Sequence, residues 1–269
     1  MSKTKEDFFV PENLTGEPRV ELSPSEKYLL VIMKYETKAG CWRYSRGLVQ
    51  ENTEEGKVIA DVKRNYSSFP FGWIEDHPNG NDYLFCGEDY QGQTIIELNT
   101  GERIDFLSDR AQLGAGFCMV DYHPNPSKTI LAVEGCYWAC PYEVKFFDFT
   151  DPMSWNLEPK YKQPGSNNGD RFFGWISEDI AHIGDELELF QLPDNITAED
   201  IEKIPNKEYP VKVHKINNKL YIDIDDSYML SDLKDNTITE EMCDDDSRVV
   251  EIPKKVLWNV KKGELILDD

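Results

Sequence analysis

Short apolar runs bounded by turn residues recur along the whole chain, and they predict strands throughout. The run from Tyr28 to Tyr35 is almost wholly apolar and follows a turn at Leu22, Ser23 and Pro24. Further strands are expected near 47–50, 57–62, 83–86, 94–98, 103–107, 117–122, 130–133 and 143–149. Beyond them, after a unit that opens at Phe172, the pattern gives 180–183, 186–192, 211–215, 220–224, 249–252, 255–260 and 264–267. The joints carry turn residues such as His77, Pro78, Asn79 and Gly80, and Asn99, Thr100 and Gly101. One capped helix start is expected at Thr197, Ala198 and Glu199. Residues 1–19 are polar, hold Pro11, Gly16 and Pro18, and read as a loose N-terminal arm, leaving 20–269 as a single domain.

The runs also repeat. Phe71, Gly72, Trp73 and Ile74 recur as Phe173, Gly174, Trp175 and Ile176, at a spacing of 174 − 72 = 102. Gly40 and Cys41 recur as Gly135 and Cys136, 135 − 40 = 95 apart. His77, Pro78 and Asn79 recur as His123, Pro124 and Asn125, 123 − 77 = 46 apart. Units of roughly 40–50 residues, each of four short strands, are the pattern of a β-propeller. The expectation is an all-β chain: a propeller of about five four-stranded blades, closed by pairing of the terminal segments. The segments from Ser23 to Val31 and from His123 to Leu131 resemble the Ser/His-Pro-Asp-Gly-Lys-Tyr-Leu pattern of WD40-like and TolB-like propeller blades. The Asp-Gly of that pattern is absent at both places, as are the Gly-His and Trp-Asp pairs of standard WD40 repeats. The resemblance therefore implies a divergent propeller and speaks for fold alone.

Charge narrows the partners. The 269 residues include 29 basic and 51 acidic ones, a formal charge of −22, which repels phosphate backbones and argues against nucleic acid. A basic protein partner suits it. Ten acids against the single base Lys234 fall between Asp223 and Asp246, a block read as solvated, without the glycine an EF-hand loop requires. A hydrophobic fraction of 39% fits a packed core rather than a disordered chain. No run approaches the ~18 apolar residues of a membrane helix, and the first residues lack the apolar stretch of a signal peptide, so a cytoplasmic setting is expected. The six cysteines are then expected as thiols, with Cys86 and Cys118 as small core residues.

Candidate chemistry gathers in three connections, 40–44, 87–91 and 134–142, at equivalent places in successive units. They offer the aromatics Trp42, Tyr44, Tyr90, Tyr137 and Trp138 beside Glu88, Asp89 and Glu134. Aromatics next to carboxylates suit a cationic or sugar-like small ligand or a protein hot spot, and the same rings also suit packing between blades. The neighbouring residues favour Tyr90 and Trp138 on the shared surface and Trp42 buried at a joint. Trp73 and Trp175, at repeat-equivalent positions, are expected to pack. Cys136 and Cys140 have the spacing of a zinc pair, but the second pair a structural zinc needs is missing. No catalytic triad, phosphate loop or dinucleotide fingerprint occurs, so no cofactor is expected. The four histidines are His77, His123, His182 and His214, and two of them precede prolines, which favours a structural role. The leading expectation is a non-enzymatic recognition module. The alternative is a lactonase- or glycosidase-like hydrolase using Glu88, Asp89 or Glu134 with a divalent cation.

Overall fold

The protein is described here by a computed structural model covering residues 5–37, 42–138, 140–154, 160–165, 171–202, 211, 213–223 and 249–266. It divides into two compact units where the sequence suggested one domain: Met1–Ile183 with Val256–Asp269, and Gly184–Lys255. The acidic block, apart from the backbone of Asp223, lies outside the described residues, as do Gly40, Cys41 and Cys243.

In the first unit, antiparallel meanders follow one another along the chain. The first sheet joins β1 (Leu14–Leu22), β2 (Tyr28–Tyr35), β3 (Tyr44–Glu51) and β4 (Val58–Arg64) in that order. The second joins β5 (Gly72–Ile74), β6 (Tyr83–Cys86), β7 (Gln93–Glu97) and β8 (Arg103–Phe106). A single helical turn, α1 (Asp109–Gln112), leads to the third sheet of β9 (Phe117–Pro124), β10 (Ile130–Tyr137) and β11 (Tyr142–Asp148). Then β12 (Arg171–Trp175) pairs with β13 (Ile180–Gln191), one continuous strand where the sequence suggested two.

Two-sided burial explains why the central strands read as continuous apolar runs rather than alternating ones. In β6, Tyr83 and Phe85 pack with Met119, Leu131, Val133 and Phe147 of the third sheet. Their neighbours Leu84 and Cys86 turn the other way, onto Leu30, Val49 and Val62 of the first sheet. Each large side chain fully buried in this way contributes about 1.5–3 kcal/mol. Gly47 in β3 permits a close approach, since a Cβ there would lie 2.4 Å from the ring of Phe69.

The joints share one construction. Glu26, Gly80 and Lys128 donate their N–H to the carbonyls of Ser23, His77 and Asn125 at 2.9, 2.8 and 2.8 Å. All three donors are left-handed, with φ of 59°, 89° and 58°. The left-handed position that glycine holds in the Asp-Gly of the blade pattern is thus kept with Glu26 and Lys128 in its place. A carboxylate from further along the chain clamps two of these turns: Ser25 N–H donates to Glu75 at 2.8 Å, and Ser127 N–H to Glu178 at 2.9 Å. The turn geometry corrects one repeat. His123 and Pro124 end strand β9, and the residue equivalent to His77 is Asn125, 125 − 77 = 48 positions on. His77 is buried, with Nε2 3.0 Å from the carbonyl of Phe149.

The expected loose arm is also corrected. Short 3-10 turns at Lys5–Phe8 and Pro11–Asn13 precede β1, which begins at Leu14. Phe8 stacks on Tyr44 at 4.6 Å and Phe9 meets Tyr35 edge-on at 5.1 Å. These contacts and the pairing of β1 with β2 tie the segment down.

In the second unit, the later part of β13 pairs with β15 (Lys219–Asp223), which pairs with β14 (Val213–Ile216). Asn217 and Asn218 join β14 to β15 with φ of 48° and 66°, the signature of a two-residue primed turn. The short α2 (Ala198–Glu202) follows Thr197 as expected, and Ile201 packs with Phe190, Leu192 and Ile222. The end of β16 (Val249–Asn259) that belongs to the first unit, from Val256 on, forms a hairpin with β17 (Glu264–Ile266). Its Trp258, with Ala181 and Ile183, covers Ala132, Val144 and Phe146 of the third sheet. Trp73 and Trp175 pack against core clusters, as expected of them.

Candidate functional site

Four connections of the first unit bring four aromatic rings into one chain. Trp42 precedes β3, Tyr66 follows β4, Tyr90 lies between β6 and β7, and Trp138 lies between β10 and β11. Trp42 meets Tyr66 edge-on at 5.3 Å, Tyr66 stacks on Tyr90 at 5.6 Å, and Tyr90 meets Trp138 edge-on at 5.8 Å. The two indoles at its ends are open to solvent, Trp42 at 49% and Trp138 at 54%. The expectation that Trp42 is buried is therefore corrected. A tight polar joint, not an apolar pocket, fixes its ring.

Asn65 is the centre of that joint. Its carbonyl accepts from Trp42 Nε1 at 2.6 Å, its side-chain oxygen accepts from Tyr90 N–H at 2.8 Å, and its amide donates to Asp89 at 2.5 Å. Asp89 also accepts from Gln91 N–H at 2.8 Å. Beneath it, the buried Arg64 guanidinium donates to the carbonyls of Gly87 and Asp89 at 2.7 and 3.0 Å. Burial lowers the Arg64 pKa from its ordinary value. Strand β4 is thereby fastened to the β6–β7 connection, so the rings are held on a rigid base. Sequence reasoning missed Asn65 and Tyr66. Their one signal was an Asn-Tyr pair just past a strand, which resembles any turn.

The other expected site residues go elsewhere. Tyr44 packs under Phe8 and Phe9. Glu88 pairs with Arg103, which also binds Asp105 at 2.7 Å. Glu134 is buried on β10, accepts from Phe172 N–H at 2.9 Å, and lies 3.5 Å from His123 and 3.6 Å from Arg171. It borders a separate hollow of about 290 Å³ with Asp121 and Tyr142. Burial raises the Tyr142 hydroxyl above its ordinary pKa there. Tyr137 turns away from its neighbour Trp138, into a cavity between the second and third sheets.

Cys136 pairs in register with Cys118 across β10 and β9, and Cys140 lies beyond the strand end. All three are thiols, as is Cys86. Burial pushes Cys118 up to about 11 and raises Cys136, which disfavours the thiolate a metal requires. Among the described residues no group of three or more metal-ligating side chains occurs. Within the same residues, no helix is long and apolar enough to cross a membrane.

Fold and surface together define an all-β protein of successive antiparallel sheets with a rigidly mounted aromatic ridge. No protein-family model matches the chain. It is 42% identical over 154 residues to "Uncharacterized protein R762" of Acanthamoeba polyphaga mimivirus. That match takes in 57% of this chain and 59% of the relative, so the chain spans little more than half of the relative's length. A solved structure, the uncharacterized protein lmo1340 of Listeria monocytogenes EGD-e, aligns with 93% of this chain and 60% of its own. Its TM-score is 0.35 at 15% identity.

Proposed function

We propose that the chain is a divergent β-propeller serving as a recognition module, with the ridge Trp42–Tyr66–Tyr90–Trp138 as its contact surface for a basic protein segment. One observation carries this reading: two indoles about half open to solvent are held in one continuous ring surface. Such a surface has the composition of an interaction hot spot. Ring faces attract the guanidinium and ammonium groups of a basic segment, and the chain's charge of −22 steers them in. The meandering sheets, packed in succession through two-sided strands and repeat-equivalent turns, support the propeller. The free thiols support a reducing compartment such as the cytoplasm.

The hydrolase alternative has no observation in its favour. Glu88 is held by Arg103, Asp89 by Asn65, and Glu134 by the backbone of Phe172. The test is binding to an array of Arg- and Lys-rich peptides with acidic controls. Wild type should bind members of the basic set in a salt-sensitive way, and the Trp42→Ala/Trp138→Ala double variant should lose that binding. Equal retention of peptides by the folded double variant would falsify the assignment of the ridge.

A further inference from the structure

The cavity that Tyr137 enters has a volume of about 640 Å³, within the range of small-molecule sites. It lies between β7 and β8 of the second sheet and the strands of the third, with α1 at its rim. Met119 and Phe147 give it an apolar wall. Lys145 projects into it from β11 although the residue is only 8% exposed. Its ammonium donates to the Tyr137 hydroxyl at 2.6 Å and sits 4.2 and 4.3 Å from the ring centres of Phe117 and Tyr137. The carboxylate paired with it, Glu143, is 3.8 Å away, beyond hydrogen-bond distance. A buried ammonium without a hydrogen-bonded counter-ion is costly.

Two further groups converge there. Arg110, exposed at the rim, places its guanidinium 5.3 Å from the Tyr137 ring centre. Gln93, 3% exposed on the opposite sheet, has a side-chain oxygen with no hydrogen-bond partner. Buried amides are almost always satisfied. The terminal torsion of glutamine is soft, so this oxygen can turn toward a donor placed in the cavity. Asp109 is the one acid in the lining, so against Lys145 and Arg110 the cavity is cationic within a chain of charge −22.

We infer that this cavity is a binding site for a small planar organic anion, a ring carboxylate or phosphomonoester that carries an N–H or O–H donor. The anionic group takes the position between Lys145 and Arg110. The ring lies among Phe117, Tyr137 and Met119, and the donor meets Gln93. The site is distinct from the ridge: in the pairs Tyr90–Gln91 and Tyr137–Trp138 one residue joins the ridge while its neighbour lines the cavity.

The experiment is a calorimetric and ligand-observed NMR screen of planar carboxylates and phosphomonoesters, each beside its neutral amide or alcohol. Indole-3-acetate against indole-3-acetamide is one such pair. An anionic member should saturate the wild-type protein, with affinity about tenfold above its neutral partner, equivalent to about 1.4 kcal/mol. Lys145→Gln should cut that preference severalfold and Gln93→Leu should weaken binding about tenfold. Arg110→Ala, at an exposed position where folding is safe, should weaken the anion severalfold and leave the neutral compound unchanged. Trp138→Ala should leave anion binding intact, which separates this site from the ridge. Absence of saturation by any anion at millimolar concentration, equal binding of the two members of every pair, or an unchanged anion affinity in Arg110→Ala overturns the site.

Discussion

Trp138→Ala measures whether the ridge is a surface or a hidden joint. Trp138 is 54% exposed, and its ring contact within the ridge is the edge-on approach to Tyr90. A large aromatic offers at most about 250 Å² for burial, so roughly 115 Å² of it is hidden here. At about 25 cal/mol per Å² the ceiling is ~3 kcal/mol. The unfolded chain already hides about 10–40% of such area and alanine keeps the Cβ, which leaves about 1.5–2 kcal/mol. Trp42→Ala should cost somewhat more, about 2–3 kcal/mol, because it also breaks the hydrogen bond to Asn65, worth about 0.5–1.5 kcal/mol. Trp42→Phe should recover part of that loss. Urea melts followed by near-ultraviolet circular dichroism read the difference directly. A fully buried tryptophan would instead cost about 3–5 kcal/mol on truncation. A Trp138→Ala protein that fails to fold, or loses about 4 kcal/mol or more, refutes the surface reasoning. The ridge would then be an internal packing element.

Other perturbations test the frame around the ridge. Gly47→Ala drives a methyl group into the Phe69 ring and should destabilise by about 1–3 kcal/mol in a denaturant melt, with Phe69→Leu in the same chain restoring part of the loss. A neutral Gly47→Ala would contradict the close approach of β3 to Phe69. Burial alone would raise the Asp82 carboxyl, but the Asp76 N–H at 2.8 Å, the Lys27 ammonium at 3.1 Å and the Tyr28 hydroxyl at 3.1 Å hold it below its ordinary value of 3.8. Its stabilisation is therefore complete above pH 3.8 and is lost as the pH falls below that value through the folded pKa. Asp82→Asn should lower stability at neutral pH and flatten the acid limb of the profile, and an unchanged acid limb would count against this linkage. Burial pushes the Cys86 thiol up to about 12, so iodoacetamide near neutral pH should spare it while labelling exposed Cys140, with mass spectrometry as the readout. Rapid labelling of Cys86 in the folded protein would contradict its place in the core.

Local pattern was enough for most strands and their joints. Apolar runs such as 28–35 and 83–86 became β2 and β6, and Asn217 and Asn218 became the tight turn between β14 and β15. These elements rest on short-range chemistry: apolar runs with β-forming side chains, and residues that tolerate positive φ. Strand β1 escaped because most of its side chains are exposed and carry no apolar alternation. Its strand state comes from pairing with β2, a partner in the tertiary structure. The repeated His-Pro-Asn string misled for a related reason. Three matching letters do not fix a turn, whereas the hydrogen bond to a left-handed fourth residue does, and that assigns Asn125 rather than His123. The equivalent connections did bring Trp42, Tyr90 and Trp138 together, since successive meanders return their loops to comparable places. The addition of Tyr66 and the departure of Tyr44, Tyr137 and Glu134 depended on which way each side chain leaves its strand once the sheets are packed. The Lys145 cavity was equally hidden from the sequence. Gln93, Phe117 and Lys145 lie on three strands of two sheets, and only face-to-face packing of those sheets gives their separate positions a common space.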